Sequence, residues 1–404
     1  MNSEQKFAYE DMINGHNVFI TGGGGVGKTY VISKFYDDIS PKKVTYLTST
    51  TGISALNIGG QTLHSLLGIG LGKGEVKFLE RKIKKNRKTE VWTTIKVLII
   101  DEISMLDPEV FDKIDKLAKL IRKNDKPFGG IQVVLSGDFC QLPCIKSENF
   151  CFEAKSWKTI EKVHYLKNVV RQQDEKFVKV LNSIRLGIID KEVKEVFNSR
   201  IKPIDEKSEI LPTRIYPYNK QVDIVNFKHL SKIQKEGGHK LYRYKTDLEI
   251  SDNYKGSCVV NEDEVLELTV GVQVILTANL SVAVGLANGS MGIVVGFDCE
   301  NLPIVRFKNV TQVIDYKEYV VEENKQVLYT YLKMPLKLAY AISIHKSQGM
   351  TLECIETDIS NIFEYGQAYV CLSRVKSLEG LFIKNINYYK IKCHPKAKKY
   401  YESL

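Results

Sequence analysis

Short runs of apolar and β-branched residues alternate along the chain with longer segments in which apolar residues recur every three or four positions. The short runs predict buried strands, and the periodic segments predict amphipathic helices. The predicted strands are residues 18–20, 44–48, 97–100 and 132–136, and the predicted helices are residues 28–38 and 108–123. Because strands alternate with helices, the pattern predicts an α/β fold with a doubly wound parallel sheet.

Two stretches interrupt this alternation. Residues 66–88 begin with closely spaced glycines and end in a basic run, which predicts an insertion at the edge of the sheet. The basic residues of this run are Arg81, Lys82, Lys84, Lys85, Arg87 and Lys88. Further along, short β-branched runs at 272–276, 291–295 and 303–307 are separated by Gly, Asn and Pro. They predict a small β-barrel inserted into a second α/β region, which begins near Leu166 and resumes near Leu338.

The amino-acid composition excludes several classes of protein. Of 404 residues, 43% are hydrophobic and 26% are charged, which excludes wholesale disorder, collagen and a disulfide scaffold. No apolar run approaches the roughly 18 residues of a membrane span, and the first residues resemble neither a secretory signal nor a mitochondrial targeting segment. We therefore expect no membrane partner. Eight scattered cysteines favour a reducing, intracellular compartment, cytoplasm or nucleus. The net charge of +10 is compatible with a polyanionic partner but does not establish one.

A glycine-rich segment between the first predicted strand and the first predicted helix fits the phosphate-binding pattern. This segment, called the phosphate loop below, consists of Gly22, Gly23, Gly24, Gly25, Val26, Gly27, Lys28 and Thr29. Glycines let backbone N–H groups approach phosphate oxygens, and the start of the helix adds positive potential. Lys28 is expected to reach the β- and γ-phosphates, and Thr29 is expected to hold Mg²⁺.

The apolar run at 97–100 ends in the acidic pair Asp101-Glu102. Asp101 is expected to bind the Mg²⁺ shell, and Glu102 is expected to orient and activate the attacking water. Many buried strands end in Asp, so the pair alone is a moderate signal. Together with the phosphate loop it predicts hydrolysis of a nucleoside triphosphate.

Further polar blocks surround these two motifs in a definite order. They are residues 3–5, 48–55, 60–65, 101–107, 127–130, 136–143, Asn168 with 170–172, 341–351 and 367–374. From Ser3 to about Phe382, this order resembles the petite-integration-frequency (Pif) family of DNA helicases. That family belongs to the 5′-to-3′ branch of helicase superfamily 1, with RecD- and Dda-type relatives. The stretch from Glu102 to Phe111 resembles the signature that distinguishes the family.

The resemblance implies two RecA-like domains with ATP between them. The implied division is a first domain at 1–60 and 90–165, a wedge-like insertion at 61–89, a second domain at 166–235 and 336–404, and an SH3-like barrel at 236–335. The implied enzyme uses ATP and Mg²⁺ to translocate 5′ to 3′ on single-stranded DNA and to unwind duplex DNA. Its implied partners are single-stranded DNA and single-strand/duplex junctions, as a monomer in solution or, alternatively, a dimer on DNA.

The resemblance also assigns residues to the nucleotide. Gln5 is expected to read the adenine, and Gln141 to sense the γ-phosphate. Arg171 and Arg374 are expected to reach from the second domain as arginine fingers, because fixed cations stabilise the charge on the transferring phosphoryl group. The remaining residues expected to line the nucleotide are Tyr30, Gln348 and Gly349.

For DNA, the resemblance points to Thr50, Thr51, Gly52, Thr62, His64, His345, Lys346 and Ser347. Small hydroxyls and backbone amides can hold phosphates without reading bases, which suits an enzyme that steps through any sequence. The basic run from Arg81 to Lys88 keeps two interpretations: a contact with duplex or junction DNA, or a solvated helix face.

Two other functions stay open. One is a translocase that displaces proteins or remodels quadruplexes or RNA–DNA hybrids with little unwinding. The other is a non-motor, nucleotide-dependent switch, whose hydrolysis would not respond to single-stranded DNA. Cys140, Cys144 and Cys151 lie close together in the sequence but lack a paired zinc spacing, so we expect ordinary buried residues rather than a metal site.

Overall fold

The computed structural model describes residues 1–144, 147–172, 174–206, 208–251, 264–281, 284–323 and 326–404. Its helices are α1 (Ser3–Ile13), α2 (Lys28–Ile39), α3 (Gly52–Asn57), α4 (Leu63–Leu66), α5 (Val76–Lys85), α6 (Thr89–Thr94), α7 (Pro108–Arg122), α8 (Glu175–Arg185), α9 (Lys191–Asn198), α10 (Asn219–Gly237), α11 (Ile344–Ser347), α12 (Gln367–Leu372) and α13 (Pro395–Glu402). Short 3₁₀ helices lie at Ile103–Met105, Pro127–Gly130, Cys151–Glu153, Lys155–Thr159, Ile359–Asn361 and Tyr388–Lys390.

The strands connect these helices. They are β1 (Val18–Gly22), β2 (Thr45–Ser49), β3 (Gln61–Thr62), β4 (Val97–Asp101), β5 (Gln132–Gly137), β6 (Lys162–Leu166), β7 (Thr213–Tyr216), β8 (Tyr242–Tyr244), β9 (Asp247–Ile250), β10 (Leu266–Leu268), β11 (Gln273–Leu276), β12 (Met291–Phe297), β13 (Pro303–Phe307), β14 (Thr311–Val313), β15 (Lys317–Glu323), β16 (Gln326–Lys333), β17 (Leu336–Leu338), β18 (Ala341–Ser343), β19 (Ile355–Asp358) and β20 (Leu381–Asn385).

The first lobe is built on a parallel sheet with strand order β3-β2-β4-β5-β1-β6. The four strands predicted for this region are confirmed to within two residues at either end. Strands β1 and β4 are buried along their whole length, as continuous apolar runs in a parallel sheet require. Because β5 lies between β4 and β1, the residue after β5 stands between the acidic pair and the phosphate loop at the carboxyl edge of the sheet.

Local sequence explains where the first lobe's helices begin and end. The Asn2 side chain accepts a bond from Gln5 N, and the Gln5 side chain accepts one from Asn2 N, which forms a capping box at the start of α1. Asp107 caps α7 through Glu109 N, with Pro108 at the first helical position. The predicted helix at 108–123 ends one residue earlier, because Lys123 adopts a left-handed conformation with φ 51°.

The predicted insertion at 61–89 contains helices α4 and α5, and the basic run lies on α5 and just after it. Leu79 and Ile83 are the buried face of α5. Arg81, Lys84 and Lys85 are exposed on the opposite face, whereas Lys88 is only 7% exposed and packs against Gly68. The basic run is therefore an exposed helix face that ends in one buried lysine.

The second lobe is built on a smaller parallel sheet with strand order β18-β7-β19-β20. The chain between β7 and β18 forms antiparallel sheets with strand orders β14-β13-β12-β11-β17, β15-β16-β9 and β10-β8. The strands predicted near 272, 291 and 303 are present in the first of these sheets. Parts of the predicted barrel, residues 252–263, 282–283 and 324–325, lie outside the described residues.

The last helix packs on the first lobe, although the sequence interpretation grouped it with the second. Ala397 and Tyr401 of α13 belong to the hydrophobic core that covers one face of the first sheet, together with Phe19 and Phe139. The Tyr401 hydroxyl is 2.6 Å from Thr21 Oγ1 and accepts the Phe139 N–H at 3.0 Å. Within the part of the chain that the structure describes, no helix has the length and apolar character of a membrane span.

Candidate active site between the two lobes

The phosphate loop joins β1 to α2 at the carboxyl edge of the first sheet, as predicted. Gly25 and Gly27 both have φ of +85°, a backbone conformation that side-chain-bearing residues rarely adopt. A Cβ atom on Gly25 would lie 2.5 Å from Arg171 Cβ, and one on Gly27 would lie 2.6 Å from Gln5 Nε2. Glycine is therefore required both by the turn and by the residues that pack over it.

Lys28 lies across the loop that it follows. Its Nζ donates to the carbonyl oxygens of Gly22 at 2.7 Å and Gly23 at 2.9 Å. Burial lowers the pKa of Lys28, and the charges of Asp138, Glu102 and Asp101 act in the opposite direction. The ammonium group therefore stands in a cluster of carboxylates, where it can move to an incoming phosphate.

Thr29 and Asp101 come together from α2 and β4. Thr29 Oγ1 donates to Asp101 Oδ2 at 3.5 Å, a long hydrogen bond. Asp101 is 4% exposed, and burial raises its pKa. A hydroxyl and a carboxylate are oxygen ligands of the kind that Mg²⁺ takes in nucleotide sites, with waters and phosphates completing the shell. The two residues therefore fit the role that the sequence predicted for them.

Glu102 adopts a left-handed conformation with φ 54°, which turns it away from its strand. Burial, followed by the charge of Asp101, raises its pKa to about 7, against the opposing effect of Lys28 and Arg374. Gln348 of the second lobe donates through Nε2 to Glu102 Oε2 at 2.9 Å and to Gln141 Oε1 at 3.4 Å. Three residues predicted from separate motifs thus meet at one point.

The two predicted arginines also lie over the phosphate loop. A Cβ atom on Gly24 would be 3.2 Å from Arg374 Nη2 and 3.6 Å from Arg171 Nη1. Arg374 is 2% exposed and is held by the Val370 carbonyl and the Ser373 hydroxyl. Burial, together with the charge of Arg374, lowers the pKa of Arg171 to about 9. Two neighbouring cations of this kind are well placed for a highly charged anion.

Arg171 differs from the expectation that it reaches across from the second lobe. Its backbone N–H and that of Val170 donate to Gly25 O, at 3.2 and 2.8 Å. Its side chain donates from Nη1 to Ser373 O at 3.1 Å. Arg171 is thus attached to the phosphate loop by its backbone and to the second lobe by its side chain, because it lies in the connection between them.

The other nucleotide candidates lie around the loop. Gln5 is buried beside Gly27, and its Nε2 donates to Val26 O at 3.0 Å. Tyr30 is 54% exposed on the first turn of α2. Gly349, with φ +80°, follows the buried Gln348.

A buried ion pair lies beneath the site and was not predicted from the sequence. Arg185 of α8 donates to both oxygens of Asp138 at 2.9 and 2.7 Å, and the two side chains are 2% and 0% exposed. The Tyr401 ring lies 4.2 Å from the Arg185 guanidinium carbon. Asp138 stood within a recognised block, but Arg185 lies 47 positions further along the chain, and no sequence pattern pairs the two.

The predicted DNA residues form two groups. The first-lobe group follows strand ends: Thr50 donates to Glu102 O at 2.9 Å, Thr51 accepts from Ser54 N at 3.2 Å, and Gly52 begins α3. Thr62 ends β3 and His64 lies on α4, where burial lowers the histidine pKa. The Thr50 contact links this group directly to the acidic pair.

The second-lobe group lies on α11. His345 is exposed, and burial still lowers its pKa, opposed by the charge of Glu364. Lys346 lines a cavity of about 400 Å³ between α10 and the antiparallel sheets. Ser347 departs from the expectation, because it is fully buried and its hydroxyl donates to Ile344 O at 2.8 Å. Its side chain is therefore turned into the lobe.

Of the three neighbouring cysteines, Cys140 and Cys151 are buried and Cys144 is partly exposed. Cys140 Sγ lies 3.5 Å from Cys393 Sγ. Across the described ranges, no group of three or more His, Cys, Asp and Glu side chains could hold a metal ion.

Two family models match parts of this chain, and one relative matches over the whole length of this chain. Residues 1–195 match the family model described as PIF1-like helicase, and residues 254–297 match the 2B domain of DNA helicase Pif1. The chain is 38% identical to the ATP-dependent DNA helicase PIF1 of Xenopus laevis over 412 residues, which covers 100% of this chain and 64% of that protein. The chain therefore spans somewhat less than two thirds of that relative.

This chain covers a larger share of the solved structures that it resembles. The Pif1 helicase of Candida albicans is 34% identical, with a TM-score of 0.80, over 100% of this chain and 99% of that one. The Pif1 helicase of Bacteroides in complex with ADP-AlF3 and single-stranded DNA is 29% identical, with a TM-score of 0.66, over 100% of this chain and 96% of that one.

Proposed function

The chain belongs to the family of PIF1-like helicases, and from that premise we propose that it is an ATP-dependent DNA helicase. The observation that carries this proposal is the meeting of Gln348 from the second lobe with Glu102 and Gln141 from the first. Hydrolysis at such a site depends on how the lobes are placed. Each ATP cycle can therefore be converted into movement along a strand.

The chemistry follows from the positions of the side chains. Lys28 and Arg374 neutralise the charge that builds on the transferred phosphoryl group, and Arg171 adds a third cation. Glu102 orients the attacking water and accepts its proton, for which a pKa near neutrality is suited. Thr29 and Asp101 would hold Mg²⁺, which would supply further neutralisation of the phosphate charge. Gln5, beside Gly27, would read the adenine.

Coupling to DNA is proposed to run through the residues that bridge the acidic pair and the strand ends. Thr50 is bonded to the Glu102 carbonyl, and Gln141 follows β5 between the acidic pair and the phosphate loop. A shift of Glu102 in response to the γ-phosphate would therefore be transmitted through this hydrogen bond to Thr50, which belongs to the first group of DNA candidates. The Bacteroides relative binds single-stranded DNA together with a nucleotide analogue, which supports the same pair of ligands here.

We propose that the strand lies across Thr50, Thr51, Gly52, Thr62 and His64 of the first lobe and His345 and Lys346 of the second. Ser347 would contribute its backbone rather than its buried hydroxyl. The exposed face of α5 would contact duplex or junction DNA. The direction, 5′ to 3′, and a monomeric motor with dimers forming on DNA are proposed from the family resemblance.

The test is ATP hydrolysis with and without single-stranded DNA, followed by unwinding of duplexes that carry a 5′ or a 3′ tail. The proposal expects strong stimulation and unwinding from the 5′ tail only. Stimulation without unwinding would replace it with a remodelling translocase. Hydrolysis that does not respond to DNA would replace it with a nucleotide-dependent switch.

A further inference from the structure

A tyrosine of the second lobe reaches into the phosphate loop. The backbone N–H of Gly24 donates to the Tyr369 hydroxyl at 2.6 Å, although the two residues are 345 positions apart. A Cβ atom on Gly23 would lie 2.9 Å from the same hydroxyl. Tyr369 lies on α12 and is 3% exposed, so its hydroxyl is held at the loop by the packing of its ring.

The surroundings of this hydroxyl are those of a bound phosphate oxygen. It accepts from a loop amide, the kind of group that cradles phosphates. Lys28 Nζ is bonded to the carbonyls on the neighbouring side of the loop, at Gly22 and Gly23. Arg374 Nη2 lies beside Gly24, at 3.2 Å from the position of a Cβ there. The Tyr369 hydroxyl, Lys28 and Arg374 therefore all lie at the same short stretch of the loop, from Gly22 to Gly24.

The state of the hydroxyl supports a neutral oxygen at this position. Burial, followed by the charge of Asp138, raises the pKa of Tyr369 to about 12. At neutral pH the group is therefore a phenol rather than a phenolate. A phenol oxygen accepts an N–H bond but attracts cations far less than a phosphate does, so a phosphate oxygen can displace it.

We propose that the Tyr369 hydroxyl is a placeholder for a phosphate oxygen, which pairs the Gly24 amide in the nucleotide-free enzyme and is displaced when nucleotide binds. This inference rests on the proposed function in one respect, that a nucleoside triphosphate occupies the phosphate loop. The physical reason is that a shielded amide without a partner is unfavourable. The hydroxyl removes that penalty from the empty loop, so the nucleotide gains less when it binds.

The same helix connects the placeholder to the arginine that approaches the phosphates. Arg374 follows α12, and its Nε donates to Val370 O at 2.7 Å, one residue beyond Tyr369. Displacement of the Tyr369 hydroxyl therefore moves the helix end that carries Arg374. Nucleotide binding would in this way shift the end of α12 in the second lobe before hydrolysis takes place.

The test is the Tyr369→Phe variant, which keeps the buried ring and removes only the hydroxyl. Equilibrium binding of ADP and of a non-hydrolysable ATP analogue, each with Mg²⁺, is measured without DNA. Because the half-buried Gly24 amide loses its partner only in the empty enzyme, we expect Kd to fall by about threefold to thirtyfold. The rate of ADP release is expected to fall with it, without an increase in kcat.

Tyr401→Phe is the matched control. Tyr401 is also buried, and its hydroxyl contacts Thr21 and Phe139 N rather than a loop amide. We expect this variant to melt at a lower temperature and to bind nucleotide with unchanged Kd. A thermal melt of Tyr369→Phe shows whether that variant is folded. If it is not, Tyr369→Leu is the second variant, because it also lacks the hydroxyl and does not exceed the volume of the buried ring.

The outcomes separate the two proposals. If the wild-type enzyme binds neither nucleotide, the proposed function fails. If the wild-type enzyme binds both and folded Tyr369→Phe binds with equal or weaker affinity, the placeholder is refuted and the proposed function stands. Weaker binding would show that the hydroxyl donates to the nucleotide, and equal tightening in Tyr401→Phe would show that the effect is not specific to the loop.

Discussion

The ionised side chain of Glu102 is expected to lower the free energy of unfolding above neutral pH. Its pKa is raised from the ordinary value of 4.5 to about 7, chiefly by burial and then by the charge of Asp101. A carboxyl group with a raised pKa binds its proton more tightly in the folded state than in the unfolded chain. The folded state is therefore penalised as pH rises from about 4.5 to about 7, and the penalty is complete above that range.

The Glu102→Gln variant removes the penalty and keeps the shape of the side chain. The amide oxygen of glutamine can still accept the bond that Gln348 donates. A shift from 4.5 to about 7 at roughly 1.4 kcal/mol per unit corresponds to about 3 kcal/mol at pH 8. We expect the variant to be more stable than the wild type by up to that amount at pH 8 and equally stable near pH 4.5.

The assay is a thermal melt of both proteins without nucleotide at several pH values from 4.5 to 8. Glu109→Gln is the matched control, because the Glu109 side chain is 82% exposed on α7. The same Glu102→Gln preparation is expected to bind ATP and to hydrolyse it slower by orders of magnitude, since the proton acceptor is gone. A difference in melting temperature that does not change with pH, or a variant less stable at pH 8, would refute the reasoning.

The remaining predictions concern the nucleotide and the DNA. Lys28→Ala is expected to abolish hydrolysis by weakening phosphate binding, and undiminished turnover would contradict the assignment of the site. Arg374→Ala is expected to lose hydrolysis and keep most nucleotide affinity, as measured by ATPase and equilibrium titration; a pure loss of affinity would give it a different role. Neutralising four exposed residues on and after α5 should weaken binding to forked DNA and reduce the slope of log K against log salt by up to about 4; an unchanged slope would leave the helix as a solvated face. The four residues are Arg81, Lys84, Lys85 and Arg87.

Motifs and strands that consist of consecutive residues could be predicted from the sequence. The phosphate loop needs one turn between a strand and a helix, so its glycines, Lys28 and Thr29 stand together in the chain. The acidic pair was found for the same reason, because Asp101 and Glu102 follow a run of buried apolar residues. Strand positions in the first lobe followed from runs of β-branched residues, since burial on both faces of a parallel sheet leaves that pattern. Three strands of the antiparallel sheets, β11 to β13, were predicted from similar runs, whereas the strands of the second parallel sheet were not predicted.

Several side-chain roles could not be predicted, even inside recognised blocks. Ser347 was expected to face DNA, but its hydroxyl is turned into the lobe toward Ile344. Lys88 looked like part of a solvated basic face, but it packs against Gly68. In both cases the direction of a single side chain depends on neighbours that the local pattern does not specify.

Contacts between residues that lie far apart in the chain depend on the tertiary structure. Asp138 with Arg185, Gly24 with Tyr369 and Thr21 with Tyr401 are separated by 47, 345 and 380 positions. The sequence determined that two α/β lobes and a phosphate loop would form, because strand and helix periodicities are local. It did not determine which side chains close over the loop, because that follows from how the lobes and the last helix pack on one another.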